Sequence, residues 1–216
     1  PPAGVLNAAV EAIDSHIPLI VVITEHVPLH DALVIRSLAR KAGLHVIGPN
    51  TVGVTSPGKC KLSVSPASIF TQGPVGVISR SGTLTHELAA SLSYHNIGQS
   101  TCVCIGGDMS KTTNFIDVLK LFRDDQETEI VVMIGEIGGA GEEIAAGYIK
   151  ESKYPKTVVA YIAGAHAPVG KKMGHAGAII TGNLGTADSK ISHLKSAGVN
   201  VARGLDELLY FVKNNV

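Results

Sequence analysis

The 216-residue chain has no tryptophan, few aromatics (4%) and no net charge, eighteen Lys and Arg balancing eighteen Asp and Glu. Without a polybasic run there is nothing to track a phosphate backbone, which argues against a nucleic-acid partner. Only three cysteines are present. Their odd number and their spacings make neither a disulfide framework nor a metal-ligand pattern, so they read as buried, reduced thiols, and no metal site is expected. Apolar runs such as 18–24 and 157–163 fall far short of the roughly 18 residues that a membrane-spanning helix needs. Neither G-x-G-x-x-G nor G-x-x-x-x-G-K-[ST] occurs, so the familiar phosphate loops are missing. The chain opens Pro1-Pro2-Ala3, with neither Met nor a cationic apolar leader. The expectation is that something upstream of Pro1 belongs to the native protein.

Glycine, in contrast, is abundant: 24 residues, above the average of about 7%. Together with Val- and Ile-rich runs, this points to buried parallel strands whose ends meet ligands through glycine loops. Helical spacing over Leu6–Ser15, a β-branched run at Pro18–Thr24, a helix ending at Gly43 and a strand at Leu44–Ile47 form two alternations. Lys59–Val64 is a weaker extended segment, and Pro66–Gly73 reads as a connector. From Gly73 the alternation restarts with strands near 75–79, 100–105, 130–135, 157–162 and 199–202, separated by helices. The fold class is therefore α/β. Residues 1–68 read as the second part of a nucleotide-binding-type unit, and residues 69–216 as a complete doubly wound parallel sheet.

Three loops of the second unit fall at strand C-termini, where open parallel sheets place ligands. Ser79–Thr83 leads into a helix. Its small residues leave amide N–H groups free along a positive dipole end, suited to a phosphate on Ser81, Gly82 and Thr83. The same spacing also describes an ordinary N-cap. Gly135–Gly139 places Glu136 directly after a buried strand, where a carboxylate is costly unless a cation or N–H meets it. A solvated rim position is the bland alternative. Lys171–Ile180 carries His175 between glycines. A neutral imidazole held in one tautomer by a carboxylate is a nucleophile near pH 7, so Glu136 and His175 form a candidate pair for phosphoryl transfer. A loop histidine with a purely structural role is the competing reading. His86 and His166 are candidates for supporting positions, while the other six histidines read as surface or element-end residues.

Seven blocks in order over nearly the whole chain make a more specific pattern. They are Gly48–Asn50, Ser79–Thr85, Gly106–Asp108, Phe115–Asp117, Gly135–Gly139, Glu142-Glu143 and Met173–Ile180. With them the chain resembles the α subunits of succinyl-CoA synthetase, the nucleotide-forming succinate–CoA ligase. The resemblance implies an incomplete Rossmann-like CoA-binding domain (1–68) followed by a flavodoxin-like ligase domain (69–216). It implies His175 as a phosphohistidine steadied by Glu136, with Ser81, Gly82 and Thr83 cradling its phosphate. It also implies Thr24, Glu25, Asn50, Thr51, Gly138 and Gly139 as residues that contact coenzyme A or substrate.

Coenzyme A and phosphate are the implied substrates, and no metal is implied on this chain. An ATP-grasp-type β subunit would hold the nucleotide with Mg²⁺, in a heterodimer or heterotetramer. The implied reaction interconverts succinyl-CoA, NDP and phosphate with succinate, CoA and NTP, in a reducing compartment, cytoplasm or mitochondrial matrix. Two departures stand out. The family's glycine loop for the CoA phosphates would precede Pro1, so the chain by itself is expected to bind CoA poorly. After Asp108 the chain runs Met109–Thr113, where the family often has Pro and Asn-Gly. A ligase for malate or another dicarboxylate, or a non-catalytic module docking to the β subunit, are the alternatives carried forward.

Overall fold

The computed structural model describes residues 1–165, 175 and 185–216. The first part is small. Strands β1 (Leu19–Val21) and β2 (His45–Ile47) pair in parallel. Helices α1 (Val5–Asp14) and α2 (Leu29–Ala42) contribute Ala9, Ile13, Ala32, Ile35 and Ala39 to a core shared with Val22 and Val46. Helix α2 stops where Gly43 takes the left-handed conformation (φ 68°), the ordinary C-terminal signal of a helix.

The second part is a seven-stranded sheet. Its strands are β3 (Gly53–Ser56), β4 (Cys60–Ser63), β5 (Gln72–Ser79), β6 (Gln99–Cys104), β7 (Ile130–Glu136), β8 (Thr157–Ala163) and β9 (Asn200–Ala202), in the order β4-β3-β6-β5-β7-β8-β9. The last five strands are mutually parallel, and their order along the sheet is 2-1-3-4-5, the flavodoxin-like arrangement. Parallel pairing explains β7: Ile130–Ile134 is an uninterrupted apolar run because both faces are covered. Val131 and Met133 face one core, and Ile130, Val132 and Ile134 the other. Each such fully buried side chain stabilises the fold by about 1.5–3 kcal/mol.

Helices α4 (Phe115–Asp124), α5 (Gly141–Glu151) and α6 (Ala187–Ser196) cover the first face. Helices α3 (Gly82–Tyr94) and α7 (Leu205–Lys213) cover the second. Helix α4 begins with a reciprocal capping box between Asn114 and Asp117.

Two details differ from the sequence reading. Strands β3 and β4, grouped by sequence with residues 1–68, extend the large sheet: β3 runs antiparallel to β6, with Val54 opposite Val103, and β4 pairs with β3. A short hairpin at a sheet edge carries no helical crossover, which is why strand–helix alternation did not reveal it. Among the cysteines, Cys102 and Cys104 are buried, but Cys60 on the edge strand β4 is exposed. The two parts are stapled by the loop after β6. The hydroxyls of Thr112 and Thr113 donate to the Val46 carbonyl, and the Thr112 amide donates to the Gly48 carbonyl at 3.0 Å.

Candidate functional site

In a 2-1-3-4-5 sheet the chain reverses direction of growth beside its first strand, here between β5 and β7, and the crevice beyond their C-terminal ends is where ligands bind. Strand β5 ends at Ser79 and delivers Arg80 and Ser81; β7 ends at Glu136. Continuation of the ladder by the Arg80 amide donating to the Ile134 carbonyl (3.0 Å) fixes both chains here.

His175 Nδ1 lies 2.7 Å from Glu136 Oε2. The imidazole is partly exposed (29%) while the carboxylate is 9% exposed. The hydrogen bond to Glu136 raises the histidine pKa above its ordinary value. Burial opposes it, the charges of Glu136 and Glu25 reinforce it, and Arg80 works against it. The sequence-predicted pair is therefore brought together, and Glu25, on the loop after β1, adds its field to the same ring. The ring also lies close against Gly107: a Cβ there would fall 2.5–2.8 Å from three of its atoms.

Behind Glu136 stands a buried ion network. Arg80 Nη2 contacts Glu136 Oε1 at 3.0 Å. Its Nη1 meets Glu142 Oε1 at 3.1 Å and donates to the Gly138 carbonyl at 3.0 Å. Glu142 also accepts from the Glu136 amide (3.1 Å) and is paired with the wholly buried Lys190. Lys190 further contacts Glu143 (3.1 Å) and the Gly139 carbonyl (2.9 Å). Burial acts to raise the Glu142 pKa, but Arg80, Lys190 and the hydrogen bonds outweigh it and hold the carboxyl below its usual range. Gly135 is required next to it, since a Cβ there would lie 2.6 Å from Glu142 Cγ. Lys111 approaches from the loop after β6 and donates to the Asp108 carbonyl at 2.8 Å. Burial and Arg80 push its pKa down to about 8, against the pull of Glu142 and Glu136.

Ser81 is the N-cap of α3: its side chain accepts from the Leu84 amide at 3.3 Å. Gly82 and Thr83 form the first turn. Gly82 lies under Val52, whose Cγ1 would be 2.5 Å from an added Cβ. Asn50 takes a positive φ (58°) and donates from its side chain to Asp108 at 3.0 Å, while its amide donates to the Thr24 carbonyl at 3.0 Å. Thr51 is buried, with its hydroxyl donating to the Cys104 carbonyl and accepting from the Gly53 amide (2.9 Å). Gly138 and Gly139 both have positive φ (88° and 62°), and their carbonyls serve the ion network.

Of the supporting histidines, His86 is engaged with Ser65 Oγ at 2.6 Å. His166 and the flanks of the glycine block at 173–180 lie outside the described residues. Sequence reasoning did not single out Arg80, Lys111 or Lys190. Arg80 sat inside a block already quoted, but Lys190 on α6 gave no local signal. No described helix is long and apolar enough to cross a membrane.

The CoA-ligase family model matches residues 78–200. The chain is 52% identical over 197 residues to the α2 subunit of ADP-forming succinate–CoA ligase from Archaeoglobus fulgidus, covering 91% of this chain and 68% of that protein. It is 54% identical over 195 residues to the corresponding α subunit of Methanothermobacter thermautotrophicus, covering 90% and 66%. The chain thus spans about two thirds of the length of these relatives. Among solved structures, ATP citrate lyase from Methanothrix soehngenii in complex with citrate and coenzyme A is similar at 28% identity with a TM-score of 0.93. That match covers 99% of this chain and 36% of that one.

Proposed function

Because this chain belongs to the CoA-ligase family, among the α subunits of succinate–CoA ligase, we propose that it is the phosphohistidine-bearing part of such an enzyme. In this reading it interconverts succinyl-CoA, NDP and phosphate with succinate, CoA and NTP. The observation that carries the reading is the 2.7 Å contact between His175 Nδ1 and Glu136 Oε2. With Nδ1–H donated to the carboxylate, the Nε2 lone pair is left free to attack phosphorus.

The steps follow from that tautomer. Phosphate displaces CoA from the thioester and gives succinyl phosphate. Nε2 of His175 then attacks the phosphorus, the P–O bond to the acyl group breaks, and succinate leaves. The phosphoryl group finally passes from Nε2 to the nucleoside diphosphate. Glu136 keeps the ring aligned and balances the positive charge that N-phosphorylation puts on it. Phosphoryl transfer needs positioning and charge stabilisation more than covalent chemistry, and the start of α3 at Ser81, Gly82 and Thr83 would supply both to the phosphate oxygens.

The ion network behind Glu136 is balanced in charge. Arg80, Lys111 and Lys190 supply three positive charges against three negative ones on Glu136, Glu142 and Glu143. Coenzyme A fits the first part of the chain, with Thr24, Glu25, Asn50 and Thr51 near its reactive arm and Gly138 and Gly139 on the ligase side. A partner subunit of ATP-grasp type would hold the nucleotide and its magnesium.

The test is direct. The full chain is incubated with the β subunit, Mg²⁺ and radiolabelled ATP or GTP, and acid-labile phosphate is sought at residue 175. Label on the wild type and none on His175→Asn supports the proposal; a folded wild type that takes no label in the assembled complex overturns it.

A further inference from the structure

Glu136 serves two ends that conflict. Its carboxylate holds the His175 ring, yet a carboxylate beside an imidazole also strengthens the ring's hold on its proton, and only the unprotonated ring attacks phosphorus. Arg80 stands where that conflict is settled. It is 4% exposed, and its Nη2 lies 3.0 Å from Glu136 Oε1, while His175 Nδ1 lies 2.7 Å from Oε2 of the same carboxylate. Oε1 is buried and has no hydrogen-bond partner among the described residues, so what Arg80 gives it is charge. Nη1 of the same guanidinium fixes that charge in place. It donates to the Glu136 carbonyl at 3.3 Å, the Gly138 carbonyl at 3.0 Å and Glu142 Oε1 at 3.1 Å. A planar fork can divide its donors in this way, and a single ammonium cannot.

We propose that Arg80 is a positioning residue for phosphoryl transfer at His175: it acts through Glu136, cancelling enough of the carboxylate's charge that the ring can give up its proton and attack. The inference rests on the phosphohistidine reading for its reaction and adds to it the group that sets how readily the ring becomes a nucleophile. The charged groups around the pair come from several elements. Glu25, after β1, adds its negative charge to the ring. Glu142 on α5, Lys190 on α6 and Lys111 after β6 stand around the guanidinium, and Arg36 on α2 lines the cavity beside it. Among the described residues, Arg80 is the one cation other than the ring itself that pairs with Glu136. The hydrogen bond to Glu136 raises the pKa of the ring, and the charge of Arg80 opposes that rise. Without Arg80, Glu136 and His175 would hold the proton they share more tightly, as a coupled pair.

The experiment compares His175 in wild type, Arg80→Lys and the Arg80→Met/Glu142→Gln double variant of the full chain, each checked for a native thermal transition. The double variant removes one charge of each sign, and Lys190 keeps Glu143 as its partner, 3.1 Å away. The net charge of the network is therefore unchanged, and the charge beside Glu136 is what is lost. Two quantities are read: the midpoint of the imidazole in an NMR titration, and the rate at which His175 is labelled by the β subunit, Mg²⁺ and radiolabelled ATP or GTP from pH 6 to pH 9.

In the double variant the ring should titrate at higher pH than in wild type. Its labelling at pH 7 should fall about tenfold, and the gap to wild type should narrow as the pH rises. The shift is opposite in sign to the one expected of Glu136→Gln. Arg80→Lys, which keeps the charge, should return the midpoint toward wild type. A merely structural role would lower labelling by the same factor at every pH and leave the midpoint unmoved. A midpoint unchanged or lowered in the folded double variant, or one raised as far in Arg80→Lys as in the double variant, overturns the proposal. The NMR midpoint is read without any phosphate, so it decides the role of Arg80 separately from the labelling that decides the phosphohistidine.

Discussion

Arg80 and Glu142 meet at 3.1 Å with side chains 4% and 1% exposed, between a catalytic candidate on one side and a buried lysine on the other. A buried pair is held by the cost of separating it: removing one partner leaves an uncompensated charge in a poorly solvated place. Arg80→Met should therefore destabilise the fold by about 3–5 kcal/mol, read from the denaturant midpoint at pH 7. The Arg80→Met/Glu142→Gln double variant should lose clearly less than the sum of the singles, since it removes both charges together. Strict additivity would mean that the two side chains do not act as a pair.

Acid should probe the same network from the carboxylate side. The Glu142 carboxyl is held below its ordinary range in the folded state. Burial pushes it up, but Arg80, Lys190 and hydrogen bonds pull it further down. A depressed folded pKa contributes stability that is present above the unfolded value, about 4.3, and lost as pH falls through the folded one. Wild type should accordingly lose stability below pH 4 more steeply than Glu142→Gln. Parallel stability curves for the two proteins across that range would remove Glu142 from the account.

For His175 the sign is opposite. Its folded pKa is raised, mainly by the hydrogen bond to Glu136. The stability it contributes is complete below the unfolded value of about 6.5 and fades as pH rises through the folded value. Reactivity runs the other way, because only the neutral ring attacks. Phosphorylation of His175 should rise with pH through the raised pKa. Glu136→Gln should move that limb to lower pH and cut the maximal rate by about 10²-fold, the cost of a reacting ring that is no longer held in line. An NMR titration of the imidazole in both proteins checks the shift directly; identical titration midpoints would remove Glu136 from the role.

Much of this is legible in the sequence, for identifiable reasons. Ile130–Ile134 announces a strand covered on both faces, and the residue after it, Gly135, precedes a carboxylate that cannot sit there unpartnered. Hence Glu136 and His175 could be paired from local pattern and resemblance. The hairpin of β3 and β4 was hidden because its pairing with β6 joins residues about fifty positions apart, as Val54 opposite Val103 shows. Lys190 was hidden for a similar reason. On α6 it looks like any helix-surface lysine, and only the packing of α6 against α5 buries it against Glu142 and Glu143. Gly107 stood inside a quoted block, but nothing in a Gly-Gly pair says which glycine bends the chain and which one yields space. The structure separates them. Gly106 has φ 96° and would press a Cβ against the Pro49 carbonyl at 2.1 Å, whereas Gly107 faces the imidazole.

That separation gives the most selective test of the site. Gly107 does not occupy the left-handed region, so its backbone accepts alanine without the strain that Gly106 would suffer. The added methyl would stand 2.5 Å from Cγ, 2.6 Å from Nδ1 and 2.8 Å from Cδ2 of His175. These distances are too short to persist, and the ring, as an end group of a side chain, gives way rather than the sheet. Displacing it lengthens the 2.7 Å bond to Glu136. That bond fixes the tautomer, and a shift of about 1 Å in a reacting group is enough to cost about 10²-fold.

Gly107→Ala should therefore keep its thermal transition within a few degrees of wild type while losing most His175 phosphorylation, and its imidazole pKa should fall toward the ordinary value as the Glu136 bond weakens. Gly106→Ala should instead lose stability, because its methyl meets backbone. A Gly107→Ala protein that is labelled at the wild-type rate would show that the ring does not work from the place beside Gly107 that it occupies here.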